Sequence, residues 1–165
     1  MKKKNKEEDE MTKILFVCLG NICRSPMAEG LLQKKIQQAN QEDRFFVDSA
    51  ATSSYEVGNR PHPGTQQIFR QENISFENMR ARQIRQDDFK KYDWIIGMDQ
   101  SNVDELKELA PKDAEHKVRL FLDVVPEKQG KGVPDPYYTH DFDETHRLLN
   151  EGLDYWWPIW TENNQ

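Results

Sequence analysis

Both cysteines of this chain, Cys18 and Cys23, lie in one eight-residue stretch, CLGNICRS, which also carries Gly20, Arg24 and Ser25. A turn leading from a strand into a helix aims several backbone N–H groups at one spot, at the positive end of the helix dipole. Gly20 allows the unusual backbone angles and close approach that such a cradle needs. Arg24 adds a planar, two-pronged donor suited to a phosphate-like oxyanion. Cys18 would sit at the base of the ring, where a helix N-terminus and a neighbouring cation favour the thiolate. These groups make a nucleophile beneath an anion pocket.

Other chemistries fit these residues less well. No G-x-x-x-x-G-K-[ST] loop occurs, so a Walker-type nucleotide site is excluded. A C-x4-C pair with four scattered histidines does not match zinc-ligand spacing, so a zinc site is not expected. Cys18 as a small buried hydrophobe at a strand end is the plain alternative. The context argues against it, because the motif follows a strand, contains a glycine and opens a helix with Ser-Pro.

The elements that must hold the octapeptide follow from hydrophobic pattern. Lys13 to Cys18 reads as a short buried strand. Ser25 is expected at the N-cap and Pro26 at the first position of the next helix. Met27, Ala28, Leu31, Leu32 and Ile36 recur at helical spacing. RFFVDSA (44–50), YDWIIGM (92–98) and KVRLFLDVV (117–125) read as further strands. HPGTQQIFRQEN (62–73) reads as a helix opened near Pro63, and SNVDELKELA (101–110) as a helix stopped by Pro111. VPDPYYTHDF (133–142) reads as a proline-rich loop. A last helix runs from Asp143 through Leu149, Leu153, Trp156 and Trp160, bent or ended at Pro158. Alternating strands and helices predict a parallel sheet covered on both faces. The octapeptide then lies at the C-terminal edge of the sheet, where such folds bind ligands.

The 165 residues suit one core. Residues 1–11, a block of charge without periodicity, are expected to form a disordered extension, with a single domain over 12–165. A net charge of −6 makes the chain a poor general binder of nucleic acid, so any anion site must be local. No apolar run approaches a membrane span, and no secretory h-region stands at the start. A reactive cysteine pair fits a reducing compartment, and the expected location is cytoplasmic.

VCLGNICRSPMAEG resembles the phosphate-binding loop of the low-molecular-weight protein tyrosine phosphatases. VDSAATSSYEVGNRPHP, RARQI, DDFKKYDWIIGMDQSN and VPDPYY continue the resemblance in order, from Thr12 to Trp160. It implies a three-layer α/β/α fold of the Rossmann or flavodoxin-like kind, with a four-stranded parallel sheet, and no metal or cofactor. It implies Cys18 as nucleophile, Arg24 as phosphoryl clamp and Asp135 as general acid. The phosphate-binding loop spans Leu19, Gly20, Asn21, Ile22, Cys23 and Ser25, with Asn21 bracing it and Ser25 donating a hydrogen bond to the thiolate. Taken alone, Asp135 in an Asp-Pro pair also reads as loop punctuation. Tyr55, Tyr137 and Tyr138 are candidates to wall a slot for a phenyl ring, with Tyr55 and Glu56 in the family's variable specificity loop. The implied partners are phosphotyrosine protein substrates, inorganic phosphate or another oxyanion in the loop, and a cognate tyrosine kinase.

One position departs from the family pattern. Many members carry a histidine two residues before the ARQI run, where this chain has Met79, so a loop-bracing hydrogen bond is expected to be absent or supplied by another residue. Three rivals share features of the motif. Thioredoxin-coupled arsenate reductases relay a disulfide through further cysteines, which this chain lacks. Protein arginine phosphatases carry threonine where Ile22 stands here. A phosphate- or redox-responsive binding module would not need an acid such as Asp135.

Overall fold

The structure, a computed structural model, describes residues 11–162. Apart from Met11, the charged N-terminal stretch lies outside the described residues. Four strands, β1 (Thr12–Cys18), β2 (Phe45–Ala51), β3 (Trp94–Gly97) and β4 (Val118–Leu120), form one sheet in the order β2-β1-β3-β4, with every pairing parallel. The chain leaves β1 toward β2 on one side and returns to β3 on the other. That change of direction opens a crevice at the C-terminal end of β1. Cys18 ends β1 there, in register with Ala51 of β2.

Residues alternate across β1 between two cores, which is why the sheet is covered on both faces. Ile14, Phe16 and Cys18 join a core shared with α1 (Arg24–Gln38), α2 (Pro63–Glu72) and α6 (Phe142–Glu162). Leu15 and Val17 join the opposite core, with Phe89 of α3 (Gln86–Lys91) and Val103 and Leu106 of α4 (Gln100–Leu109). The architecture is therefore three layers, α/β/α. No helix among the described residues is long and apolar enough to cross a membrane.

Four local expectations are corrected. Ser25 is not the N-cap of α1: the helix starts at Arg24 with Cys23 as its cap, and no side chain caps it. The apolar run 117–125 is mostly not strand. After three residues of β4 the chain turns into a 3-10 segment, Phe121–Val124. Its apolar residues serve the core instead. Phe121 packs where a Cβ on Gly152 would stand 2.2 Å from its ring, and its carbonyl accepts the Trp156 indole N–H at 2.9 Å. Of the two readings for Pro158, a bend or an end, the end is ruled out, because α6 runs on to Glu162 with Pro158 inside it. Trp156 and Trp160 stack at 5.1 Å and fix that segment in the core. The proline-rich loop contains one short helical turn, α5 (Pro136–Thr139). Helix α3, only six residues long, carried no periodic signal.

Candidate active site

The loop between β1 and α1 is held by its carbonyls. The Cys18 carbonyl accepts Thr52 N–H, Leu19 accepts Ser53 N–H and the Ser53 hydroxyl, Ile22 accepts His62 N–H, and Cys23 accepts the Thr65 hydroxyl. These bonds tie the loop's carbonyls to the surrounding chain. Asn21 N–H points at Cys18 Sγ at 3.3 Å. The left-handed residue of the loop is Asn21, with φ 60°, and not Gly20 as the sequence suggested. Asparagine is among the few side chains that visit this region readily. At Gly20 a Cβ would meet Glu56 Cγ at 3.4 Å, close to ordinary contact, so neither backbone angle nor space there demands glycine.

Behind the loop, polar groups lock Asn21 and Ser25. The Asn21 amide donates to Ser25 Oγ at 2.8 Å and to Ser49 Oγ at 2.9 Å, while its oxygen accepts Arg82 N–H at 3.0 Å. Ser25 Oγ lies 3.1 Å from Cys18 Sγ. The helical start at Arg24 is what turns Ser25 toward the sulfur.

Arg24 is buried, at 2% exposure, yet fully committed on one side. Its Nη1 donates to Asp99 Oδ2 at 2.7 Å and to the Val133 carbonyl at 2.9 Å, and Nη2 reaches Asp135 Oδ2 at 3.4 Å. Its Nε has no partner. Burial opposes the charge, but Cys18, Asp99 and Asp135 outweigh it and hold the guanidinium above its ordinary pKa. Asp135 is the N-cap of α5, accepting Tyr137 N–H at 3.0 Å, and Pro136 occupies the first helical position.

A cavity of about 240 Å³ opens above the sulfur, lined by Cys18, Leu19, Gly20, Ile22, Cys23, Tyr55, Glu56, Asp135, Tyr137 and Tyr138. Tyr137 and Tyr138 meet edge to face at 5.2 Å, and Tyr55 stands exposed opposite. Cys23 lies at the cavity edge but inside the chain. Burial first, then the nearby Cys18 and Asp135, push its thiol well above the usual range. Of the expected site residues, Cys18, Leu19, Gly20, Ile22, Cys23, Asp135 and the three tyrosines line this cavity, while Asn21, Arg24 and Ser25 do not line it and are tied to its residues by hydrogen bonds.

Sequence reasoning missed Asp99, Ser49, Glu29, Arg82 and the Val133 carbonyl. Asp99 was hidden by a second job, since its side chain caps α4 by accepting Asn102 N–H at 2.9 Å. Its place just after β3, on the same sheet edge as Cys18, was the available signal. Met79 is partly buried against the core and lines a polar recess behind the loop with Glu29, Ser49 and Asn21.

The family described as low molecular weight phosphotyrosine protein phosphatase matches residues 13–163. The chain belongs to that family. This phosphatase is 44% identical over 144 residues to the low molecular weight protein-tyrosine-phosphatase YfkJ of Bacillus subtilis, covering 87% of this chain and 92% of that one. Against the crystal structure of YfkJ the TM-score is 0.90 at 39% identity, over 94% and 98% of the two chains. The phosphatase also resembles the crystal structure of a Drosophila arginine phosphatase, with a TM-score of 0.83 at 32% identity, over 90% and 98%.

Proposed function

We propose that this chain hydrolyses phosphotyrosine in proteins, and small aryl phosphates, through a phosphocysteine formed on Cys18. The observation that carries this is a cavity lined by the Cys18 sulfur and the Asp135 carboxyl, with the buried Arg24 guanidinium bonded to that same carboxyl. The Arg24 charge and the loop's backbone amides, of which Asn21 N–H points at the sulfur, are suited to cradle a phosphoryl oxyanion.

In the first step the Cys18 thiolate forms an S–P bond as the P–O bond to the phenol breaks. Asp135 gives its proton to the departing phenolate oxygen. In the second step the Asp135 carboxylate takes a proton from water, whose oxygen attacks phosphorus as the S–P bond breaks. Phosphate leaves and the thiolate returns. Arg24 and the loop amides carry the charge of the equatorial oxygens throughout. Ser25, 3.1 Å from the sulfur, stabilises the thiolate as attacker and as leaving group. Asp99 and the Val133 carbonyl keep the Arg24 fork in place between turnovers. Tyr137, Tyr138 and Tyr55 enclose the phenyl ring.

A nucleophilic cysteine works only in its reduced form, which supports a reducing, cytoplasmic setting. The partners are phosphotyrosine proteins and, by implication, the kinase that makes them. Steady-state kcat/KM on matched phosphotyrosine, phosphoarginine and phosphoserine peptides tests the substrate class. Phosphotyrosine should lead by about tenfold or more. Equal efficiencies, or a lead for either other peptide, would refute the assignment.

A further inference from the structure

The hydrogen-bonded chain behind the loop does not stop at Ser49. The Ser49 hydroxyl donates to Glu29 Oε1 at 2.6 Å. Ser25 and Glu29 are four residues apart on α1, so one helix face carries both ends of the chain. The middle is carried by Asn21 of the loop and Ser49 of β2. The directions of these bonds can be worked out. Arg82 N–H fixes the Asn21 amide with its oxygen toward Arg82, so its nitrogen must donate both ways. Ser49 and Ser25 each accept one of those bonds. Each must then send its own hydrogen elsewhere. Ser49 sends it to Glu29. Ser25 has two acceptors, the sulfur at 3.1 Å and the Ala50 carbonyl at 3.5 Å.

Glu29 is what permits this order. Without an acceptor behind Ser49, the Ser49 hydrogen would turn toward Asn21 and compete with the amide donor. The Asn21 amide would lose one anchor, and Ser25 would lose the bond that sets its hydroxyl. Met79, beside Glu29 in the recess, has no strong acceptor to take over. Asp48 and Arg82 also face Glu29, and Arg80 lines the same recess, but Arg82 is already held by Asp48 and Asp88.

We propose that Glu29 is a positioning residue for catalysis: by accepting from Ser49 it fixes the direction of the Ser49–Asn21–Ser25 chain, so that Ser25 donates to Cys18. It occupies the bracing role that Met79 cannot fill. The inference rests on Cys18 as the nucleophile, and Cys18→Ser tests that separately, because turnover by that variant would remove the nucleophile whatever Glu29 does.

The test is the pH profile of Cys18 alkylation by iodoacetate, set beside kcat for an aryl phosphate. Arg24, Asp135, Glu56 and Cys23, the charged and titratable groups around Cys18, and Asp99 behind Arg24 are unchanged in every variant. Glu29→Met removes the acceptor and keeps the bulk. It should slow alkylation on the acid limb about threefold to tenfold, with a parallel loss in kcat, because a lost hydrogen bond to the thiolate raises the pH at which it forms. Ser49→Ala should do the same, and the double variant should be no worse than Ser49→Ala alone. Glu29→Gln, which keeps an acceptor oxygen at the same reach, should restore the profile to within about twofold of the parent. A Glu29→Met profile superimposable on the parent's overturns the proposal, as does an additive double variant. Where Glu29→Met does not fold, Ser49→Ala decides, and an unshifted profile there overturns it equally.

Discussion

Arg24 Nη1 donates to Asp99 Oδ2 at 2.7 Å, and the same Asp99 side chain caps helix α4 through its other oxygen. The Arg24 guanidinium, the proposed phosphate clamp, is thus fixed to the edge of the sheet by a residue that also caps a helix. Asp99→Ala removes both bonds. The helix cap contributes about 1 kcal/mol, so the protein should remain folded with a modest drop in melting temperature. kcat/KM for an aryl phosphate should fall about tenfold or more, because the guanidinium fork is no longer pre-set. Kinetics together with a thermal melt check this. Parental kcat/KM would show that Asp99 serves the helix alone.

Asp135 is expected to protonate the leaving group. In Asp135→Ala, hydrolysis should slow most for esters of poorly acidic phenols and least for p-nitrophenyl phosphate, whose leaving group needs no proton. The check is a plot of log kcat/KM against leaving-group pKa. A slope equal to the parent's would remove Asp135 from the acid role, leaving it as the cap of α5.

Peroxide should inactivate the enzyme reversibly. The Cys18 thiolate is oxidised to a sulfenic acid, and Cys23 displaces water from it to form a Cys18–Cys23 disulfide. Cys23 is held as a thiol by burial and by Cys18 and Asp135, so it resolves and does not oxidise first. Peptide mapping after mild peroxide should find the bridge, and Cys23→Ser should lose recovery by reductant. Full recovery in that variant would contradict the protective role.

Ile22 is expected to set the leaving-group preference. It is nearly buried, packs with Cys23 and Ala81, and lines the cavity. An apolar side chain there packs on a phenyl ring and leaves guanidinium N–H groups unpaired, at a cost of roughly 1–3 kcal/mol each. Ile22→Thr should lower the kcat/KM ratio of phosphotyrosine to phosphoarginine about tenfold. An unchanged ratio would mean that Ile22 only fills space behind the loop.

Glu29 gives a signature in stability. Burial, opposed by the Ser49 hydrogen bond and helped by Asp48, raises its pKa from 4.5 to about 7. A raised carboxyl favours the folded state while protonated, and that preference is lost as pH rises between about 4.5 and 7. Over that window the parent should lose up to roughly 3 kcal/mol relative to Glu29→Gln, with no further divergence above it. Urea unfolding of both proteins at a series of pH values measures this. Parallel curves would show that Glu29 titrates normally.

The sheet, its flanking helices and the loop were legible because each has a local signal: a continuous apolar run in β1, apolar spacing in α1, and Cys, Gly and Arg in one turn. Boundaries failed where residues answered to distant partners. Phe121 and Leu122 look like strand and serve the core beneath α6. Pro158 looks like a helix end, yet two stacked tryptophans hold the helix through it. Ser25 looks like a cap and faces the sulfur instead. The groups behind the site stayed hidden for the same reason. Asp99 is 75 residues from Arg24 in sequence, and Ser49 is 28 from Asn21, distances at which spacing carries no information.

The central claim is that phosphate passes through Cys18, and trapping the intermediate tests it most directly. Asp135→Ala should still accept phosphate from p-nitrophenyl phosphate, which needs no acid, but should hydrolyse the product slowly for want of a base. Acid quenching followed by peptide mass spectrometry should then find one phosphoryl group on Cys18, and none after the same treatment of the Cys18→Ser, Asp135→Ala double variant. Phosphate on any other residue, or parental turnover by Cys18→Ser, would contradict the covalent mechanism.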